Sequence, residues 1–112
     1  MPEKKFKLNP EEIKELIKGH SGCVATDNIT VDGLQVGFMY RERPDEDIEA
    51  DSGWRFLSGT EEQDYVDDED NSEIFALNVI ANYDPSVIPY LQFPIGTELE
   101  RVKGKNEFQQ LE

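Results

Sequence analysis

Apolar residues in this chain occur in short runs, and each run is closed by residues that favour turns. The runs span residues 22–26, 34–41, 53–57, 74–80 and 97–102. Runs of this length suit strands better than long helices. The pair Asp32-Gly33, between residues 29–31 and 34–41, is typical of a hairpin turn. We therefore expect a small antiparallel sheet in which the strands around residues 23–26 and 34–41 pair with each other.

Side-chain alternation predicts which residues of these strands face the core. In the run 34–41, Phe38 and Tyr40 share one face, and Met39 lies on the other. Aromatic side chains contribute most of the buried area in small cores. We expect Phe38 to be buried, together with at least one of Trp54 and Phe56.

The beginning of the chain carries the signals of a helix over residues 10–18. Asn9 can cap it, Pro10 suits its first position, and Gly19 follows its last residue. Its apolar stripe consists of Ile13, Leu16 and Ile17. We expect this stripe to pack on the sheet. Short helical turns are also predicted at residues 61–66 and after a strand at residues 73–76.

The size and composition of the chain predict one α+β domain in the cytoplasm. Its 112 residues suit a single domain, with a polar tail from about residue 105. Cys23 is the only cysteine, so no internal disulfide can form. Residues 1–8 are basic but lack the apolar run of a signal peptide. No stretch is long enough to span a membrane.

The charge of the chain restricts its partners. It has 25 acidic and 11 basic residues, a formal net charge of -14, which disfavours nucleic acids and anionic membranes and favours a basic protein. Acid is densest in residues 61–73, here called the acidic segment, which contain no basic residue. The candidate partner-binding residues are Asp64, Tyr65, Asp67, Asp68, Glu69 and Asp70, with Trp54 as a further aromatic contact. The alternatives are that the acidity only maintains solubility and that Trp54 is a core residue.

No residue pattern predicts catalysis, a cofactor or a metal. Residues 67–71 resemble a calcium loop in composition, but Ser72 and Asn78 stand where such a loop needs glycine and glutamate. His20 is the only histidine, and beside Cys23 it is expected to be a surface imidazole near a helix end. The glycines lack the spacing of a phosphate-binding loop.

Three segments together resemble a known family. They are residues 22–26, residues 36–42 and residues 51–59, the last with the sequence Asp-Ser-Gly-Trp-Arg-Phe-Leu-Ser-Gly. The resemblance continues through residues 78–85 and 94–96 and covers roughly residues 21–101. The chain is therefore similar to a family of small bacterial proteins. That family is grouped with the immunity proteins of polymorphic toxin systems, in the thirty-third class or a relative of it. The resemblance implies an α+β cytosolic protein that neutralises a toxin by binding it. It carries no established catalytic residues that could be assigned to this chain.

Three functions follow as hypotheses. The first is a protein-binding module, an immunity protein whose acidic segment covers a basic surface of a toxin. The second is an enzyme of unrecognised type that uses acids around Asp51 and Asp84. The third is a housekeeping domain without a toxin partner. The oligomeric state and the identity of the partner are not predicted by the sequence.

Overall fold

The chain folds as an α+β structure in a computed structural model that describes residues 4–19 and 21–111. The strands are β1 (Gly22–Thr26), β2 (Phe38–Arg41), β3 (Asp51–Leu57), β4 (Ser72–Ala76), β5 (Glu98–Arg101) and β6 (Phe108–Gln110). The helices are α1 (Asp27–Thr30), α2 (Gln63–Asp67) and α3 (Leu77–Tyr83), with 3-10 turns at Pro10–Glu12, Glu69–Asn71 and Pro85–Tyr90.

The six strands form one mixed sheet with the order β4-β1-β3-β2-β5-β6. β1 and β3 are parallel, and the other neighbouring pairs are antiparallel. The predicted pairing of β1 with β2 is therefore wrong, because β3 lies between them. The expectation of a purely antiparallel sheet is corrected by the same arrangement.

The predicted hairpin at Asp32-Gly33 is absent because the residues before it are helical. α1 begins directly after β1, and Ile29 and Thr30 are buried within it. Gly33 has a φ of 77°, and its N–H donates to the carbonyl of Ile29 at 3.1 Å. Asp32-Gly33 therefore ends a helical turn, a place where glycine is also preferred.

One face of the sheet carries the core, and the helical elements pack against it. Met39, Trp54, Phe56 and Leu99 are at most 1% exposed, and Ile29, Ile80 and Val87 from the helical elements join the same cluster. The expected burial of Trp54 and Phe56 is confirmed. Phe38 is only partly buried, because the alternation of β2 turns Met39 rather than Phe38 into the core.

The predicted helix over residues 10–18 is reduced to the turn at Pro10–Glu12. Beyond that turn, Asn78 and Asn82 of α3 bind the backbone and replace the helical hydrogen bonds. The N–H of Lys14 donates to Asn82 Oδ1 at 2.9 Å, and the N–H of Leu16 donates to Asn78 Oδ1 at 2.8 Å. Leu16 is 43% exposed, so the predicted apolar stripe does not pack as a unit.

The remaining expectations differ in outcome. The predicted strand at residues 73–76 and the helical turn after it are β4 and α3. The turn expected at residues 61–66 is α2, which begins two residues later. The tail from residue 105 is not simply polar, since it contains β6 and the buried Phe108. His20 lies outside the described residues.

Candidate protein-binding surface

The second face of the sheet is largely free of helices, and we call it the open face. Strand alternation and register place Val24, Phe38, Tyr40, Arg55, Leu57, Ile74, Glu98 and Glu100 on it. Ile74 is 59% exposed, and Phe38, Tyr40 and Leu57 are partly exposed. An exposed sheet face with apolar and aromatic side chains is a typical site of protein association.

Arg55 lies at the centre of the open face and is held by two carboxylates. Its Nη1 and Nη2 donate to Asp51 at 3.0 and 2.7 Å, and its Nε donates to Glu42 at 2.6 Å. The guanidinium hydrogen bonds hold the pKa of Asp51 at about 2, below its ordinary value of 3.8. Arg55 is only 7% exposed, so this cluster fixes the face rather than offering a free cation to a partner.

α2 lies beside the part of the open face that β1, β3 and β2 form, and it encloses a cavity with these strands. The cavity has a volume of about 160 Å³, and its lining includes Val24, Tyr40 and Leu57 from the sheet with Tyr65 and Val66 from α2. Val66 is 40% exposed. The predicted contact residue Tyr65 is therefore partly buried at the boundary between the acidic segment and the open face.

A wider depression, here called the trench, crosses the open face from α2 towards β5. Its volume is about 970 Å³, it is open to solvent, and Phe38, Tyr40, Leu57, Val66 and Glu100 are among its lining residues. Leu111, which is 40% exposed, and Lys103 lie along its far side. The trench thus combines an apolar floor with a charged border.

The acidic segment lies at the surface beside this face. Asp64, Asp67, Asp68, Glu69 and Asp70 are all exposed. Two of them also stabilise local turns: Asp67 accepts from Gln63 Nε2 at 2.8 Å, and Asp68 accepts from the N–H of Asp70 at 3.0 Å. No ion pair joins any of the five to a basic residue within the part of the chain that the structure describes.

Glu61, at the beginning of the acidic segment, has a structural environment. It accepts from Thr26 Oγ1 at 2.6 Å and from the N–H groups of Ser58 and Gly59 at 2.7 and 2.9 Å. Burial opposes ionisation, but these hydrogen bonds outweigh it and lower the pKa of Glu61. Glu61 therefore anchors the acidic segment to the end of β1 and to the residues that follow β3.

Trp54 is placed in the core and not at the surface. Its side chain is fully buried, and its Nε1 donates to the carbonyl of Leu91 at 3.0 Å. A partner cannot contact it without opening the core, so the prediction of a surface contact is corrected. The cause is the alternation of β3, which turns Trp54 inwards and its neighbour Arg55 outwards.

The acids considered for catalysis have structural partners. Asp51 binds Arg55, and Asp84 binds Arg101 and accepts from the N–H of Val36 at 2.9 Å. Cys23 is buried, and burial raises the pKa of its thiol far above the ordinary value, which makes the thiol a poor nucleophile. Among residues 4–19 and 21–111, no group of three or more His, Cys, Asp or Glu could hold a metal ion.

The residues that sequence reasoning missed are Phe38, Tyr40, Glu98 and Glu100. The period-two pattern of residues 97–102 is the one signal that could have placed Glu98 and Glu100 together on one face. Their position beside two aromatic rings depends on the pairing of β2 with β5, a contact between residues about sixty apart. No local signal in the sequence indicates that pairing.

The comparisons with known proteins identify the class of the chain. The family model described as the immunity protein Imm33 domain matches residues 23–112. The chain therefore belongs to the Imm33 immunity protein family, as the resemblance in the sequence had indicated. No curated protein and no solved structure matches it. Within the described residues, no helix combines the length and apolar character needed to cross a membrane.

Proposed function

We propose that this chain is an immunity protein that neutralises a bacterial toxin by binding it directly, without catalysis. The observation that carries the proposal is the family match over residues 23–112. The exposed acidic segment supports it, because a surface of this charge attracts a basic partner. The proposed site of action is the cytoplasm, where a protein with one buried thiol and no disulfide is stable.

The acidic segment is the proposed docking edge for the toxin. Its carboxylates repel one another across α2 and the turn at Glu69–Asn71, which lowers folding stability. A partner with a positive surface relieves that repulsion. Tyr65 lies between this edge and the open face and supplies an aromatic contact.

The test replaces Asp67, Asp68 and Asp70 together with asparagine. We expect the triple variant to fold with equal or slightly higher stability, since the three side chains are exposed. The partner is obtained by co-purification from the native host and is then purified alone. Association is followed by surface plasmon resonance at two salt concentrations.

We expect the triple variant to associate more slowly and to depend less on salt, because exposed charges act mainly on the association rate. Glu11, Glu15 and Glu46 lie outside the acidic segment and are exposed, so their triple replacement with glutamine removes the same number of charges and is the matched control. Unchanged rates and salt slopes in the triple variant would rule out the acidic segment as the docking edge.

A further inference from the structure

We infer that the open face binds arginine or lysine side chains of the toxin between the aromatic rings of β2 and the carboxylates of β5. This inference rests on the proposed function for the identity of the partner. It goes beyond that function by naming a second contact area, which is apolar and aromatic as well as acidic.

Two aromatic–carboxylate pairs lie side by side across the two strands. Phe38 is directly opposite Glu100, and Tyr40 is directly opposite Glu98. Side chains in such positions have Cβ atoms about 4.5–5.5 Å apart. The rings of Phe38 and Tyr40 are themselves 5.7 Å apart between centroids, at 34° to each other. The four side chains therefore form one continuous patch.

A cation placed over this patch has two attractive partners at once. The face of an aromatic ring attracts a guanidinium or ammonium group, and a carboxylate on the neighbouring strand adds Coulomb attraction. Both terms strengthen when a partner displaces water from the partly buried rings. The apolar side chains of Leu57, Val66 and Leu111 border the same trench, and they can contact the methylene groups of a long basic side chain.

The chain itself uses the same pairing on its other face. Arg41 lies over the ring of Trp54 at 5.8 Å, and Arg101 lies over the ring of Phe108 at 4.8 Å. In the described part of the chain, neither Phe38 nor Tyr40 has such a cation over its ring. No ion pair involves Glu98 or Glu100 there either. Arg55 lies directly opposite Tyr40 on β3, but Asp51 and Glu42 hold its guanidinium. Lys103 lines the trench near Glu100 without forming an ion pair with it. A basic partner therefore supplies the cation over the rings of this patch.

The charge of the open face favours a basic protein surface as its partner. The chain has a net charge of -14. Glu98 and Glu100 are both exposed, and Glu100 lines the trench beside its apolar floor. An apolar helix placed here would desolvate both carboxylates without a compensating charge. A basic segment compensates them and is also attracted by the acidic segment at a distance.

Two variants test the patch against the purified toxin. In the first, Glu98 and Glu100 become glutamine, which keeps the shape of these exposed side chains. In the second, Phe38 and Tyr40 become leucine, which keeps apolar bulk but removes the rings. We expect each variant to weaken toxin binding about tenfold. The leucine variant should act mainly through faster dissociation, and the glutamine variant also through slower association, because exposed charges are lost. Circular dichroism checks the fold, and the glutamine variant keeps the test decisive if the leucine variant unfolds.

A peptide probe tests the patch independently of the toxin. A tetra-arginine peptide is titrated into the isotope-labelled chain, and backbone amide shifts are followed by NMR. We expect shifts in β2 and β5 that disappear in the glutamine variant, with a tetra-glutamate peptide as the control. Shifts confined to the acidic segment would contradict the inference.

The results separate the two proposals. Toxin binding that is unchanged in both variants overturns the inference but leaves the immunity function intact. Failure of the wild-type chain to bind any co-purified toxin overturns the proposed function. In that case the peptide titration still tests whether the patch binds cations, independently of the toxin.

Discussion

Replacing Asp51 with asparagine removes the carboxylate that holds a buried arginine. Asp51 accepts two hydrogen bonds from Arg55, and it also accepts from the N–H groups of Gly53 and Asp45 at 2.9 and 2.8 Å. Its side chain has no exposed surface, and that of Arg55 is 8% exposed. The asparagine variant keeps the size of the residue but leaves Arg55 with Glu42 as its only acidic partner.

The structure sets the expected loss of stability. A pKa lowered from 3.8 to about 2 corresponds to about 2 kcal/mol of unfolding free energy at neutral pH. Breaking a buried ion pair on one side costs about 3–5 kcal/mol. Glu42 still binds the Nε of Arg55, so we expect a loss of about 2–3 kcal/mol. The Glu42→Gln variant is the control. Glu42 is 51% exposed, and its loss is expected to cost about 0–1 kcal/mol.

The dependence on pH identifies the carboxylate as the cause. The folded pKa of Asp51 lies below the unfolded value, so its contribution is complete above about pH 4 and is lost as the pH falls towards 2. Urea unfolding is followed by the emission of Trp54, the single tryptophan. We expect the difference between the wild type and Asp51→Asn to be large at pH 7 and to shrink by more than half at pH 2.5. A difference that is equal at both pH values, or equal losses in the two variants, would refute the reasoning.

Two further predictions concern backbone and core. Gly53 has a φ of 91°, and a Cβ there would lie 2.0 Å from the carbonyl oxygen of Glu42. Gly53→Ala should therefore lower the free energy of unfolding by more than about 2 kcal/mol. Gly96 has a φ of 98° with open space around it, so Gly96→Ala should lower it by only about 1–2 kcal/mol. Equal urea midpoints for the two variants would contradict this. Met39→Ala is expected to cost about 2–5 kcal/mol, because Met39 is fully buried. Phe38→Ala should cost clearly less, since Phe38 is partly exposed, and a reversed order in denaturation would show that the faces of β2 are assigned incorrectly.

The sequence predicted the elements that depend on local signals. The strand and helical turn around residues 73–83 follow from closely spaced apolar residues, and the structure has β4 and α3 there. The α+β class and the burial of Phe56 follow in the same way. These features follow from the properties of residues that are close together in the sequence.

The wrong predictions concern contacts between distant residues. The capping signals at Asn9 and Pro10 do start a turn, but Asn78 and Asn82 then take the backbone of residues 14–17 out of the helix. The sequence signal of that contact is a pair of asparagines four residues apart on a helix. Their partners cannot be deduced from spacing alone, because the partner backbone lies more than sixty residues away.

The same limit applies to the candidate surface. The exposed acidic segment is evident from composition, and the structure leaves Asp67 and Asp70 at the surface. The patch of Phe38 and Tyr40 beside the β5 carboxylates depends on sheet order, which turn chemistry predicted incorrectly. Asp32-Gly33 suits both a hairpin and a helix end, and only the burial of Ile29 decides between them.

The most direct test of the account is a titration of toxin activity with the purified chain. The toxin is the protein that co-purifies from the native host, and its activity is measured at a fixed concentration well above the dissociation constant. We expect activity to fall linearly to zero at one equivalent of the wild-type chain. In a second titration, with the toxin at a concentration near the dissociation constant, the trench and acidic-segment variants should leave more toxin activity than the wild type does. Full toxin activity in the presence of excess folded wild-type chain would contradict the claim that it neutralises a toxin by direct binding.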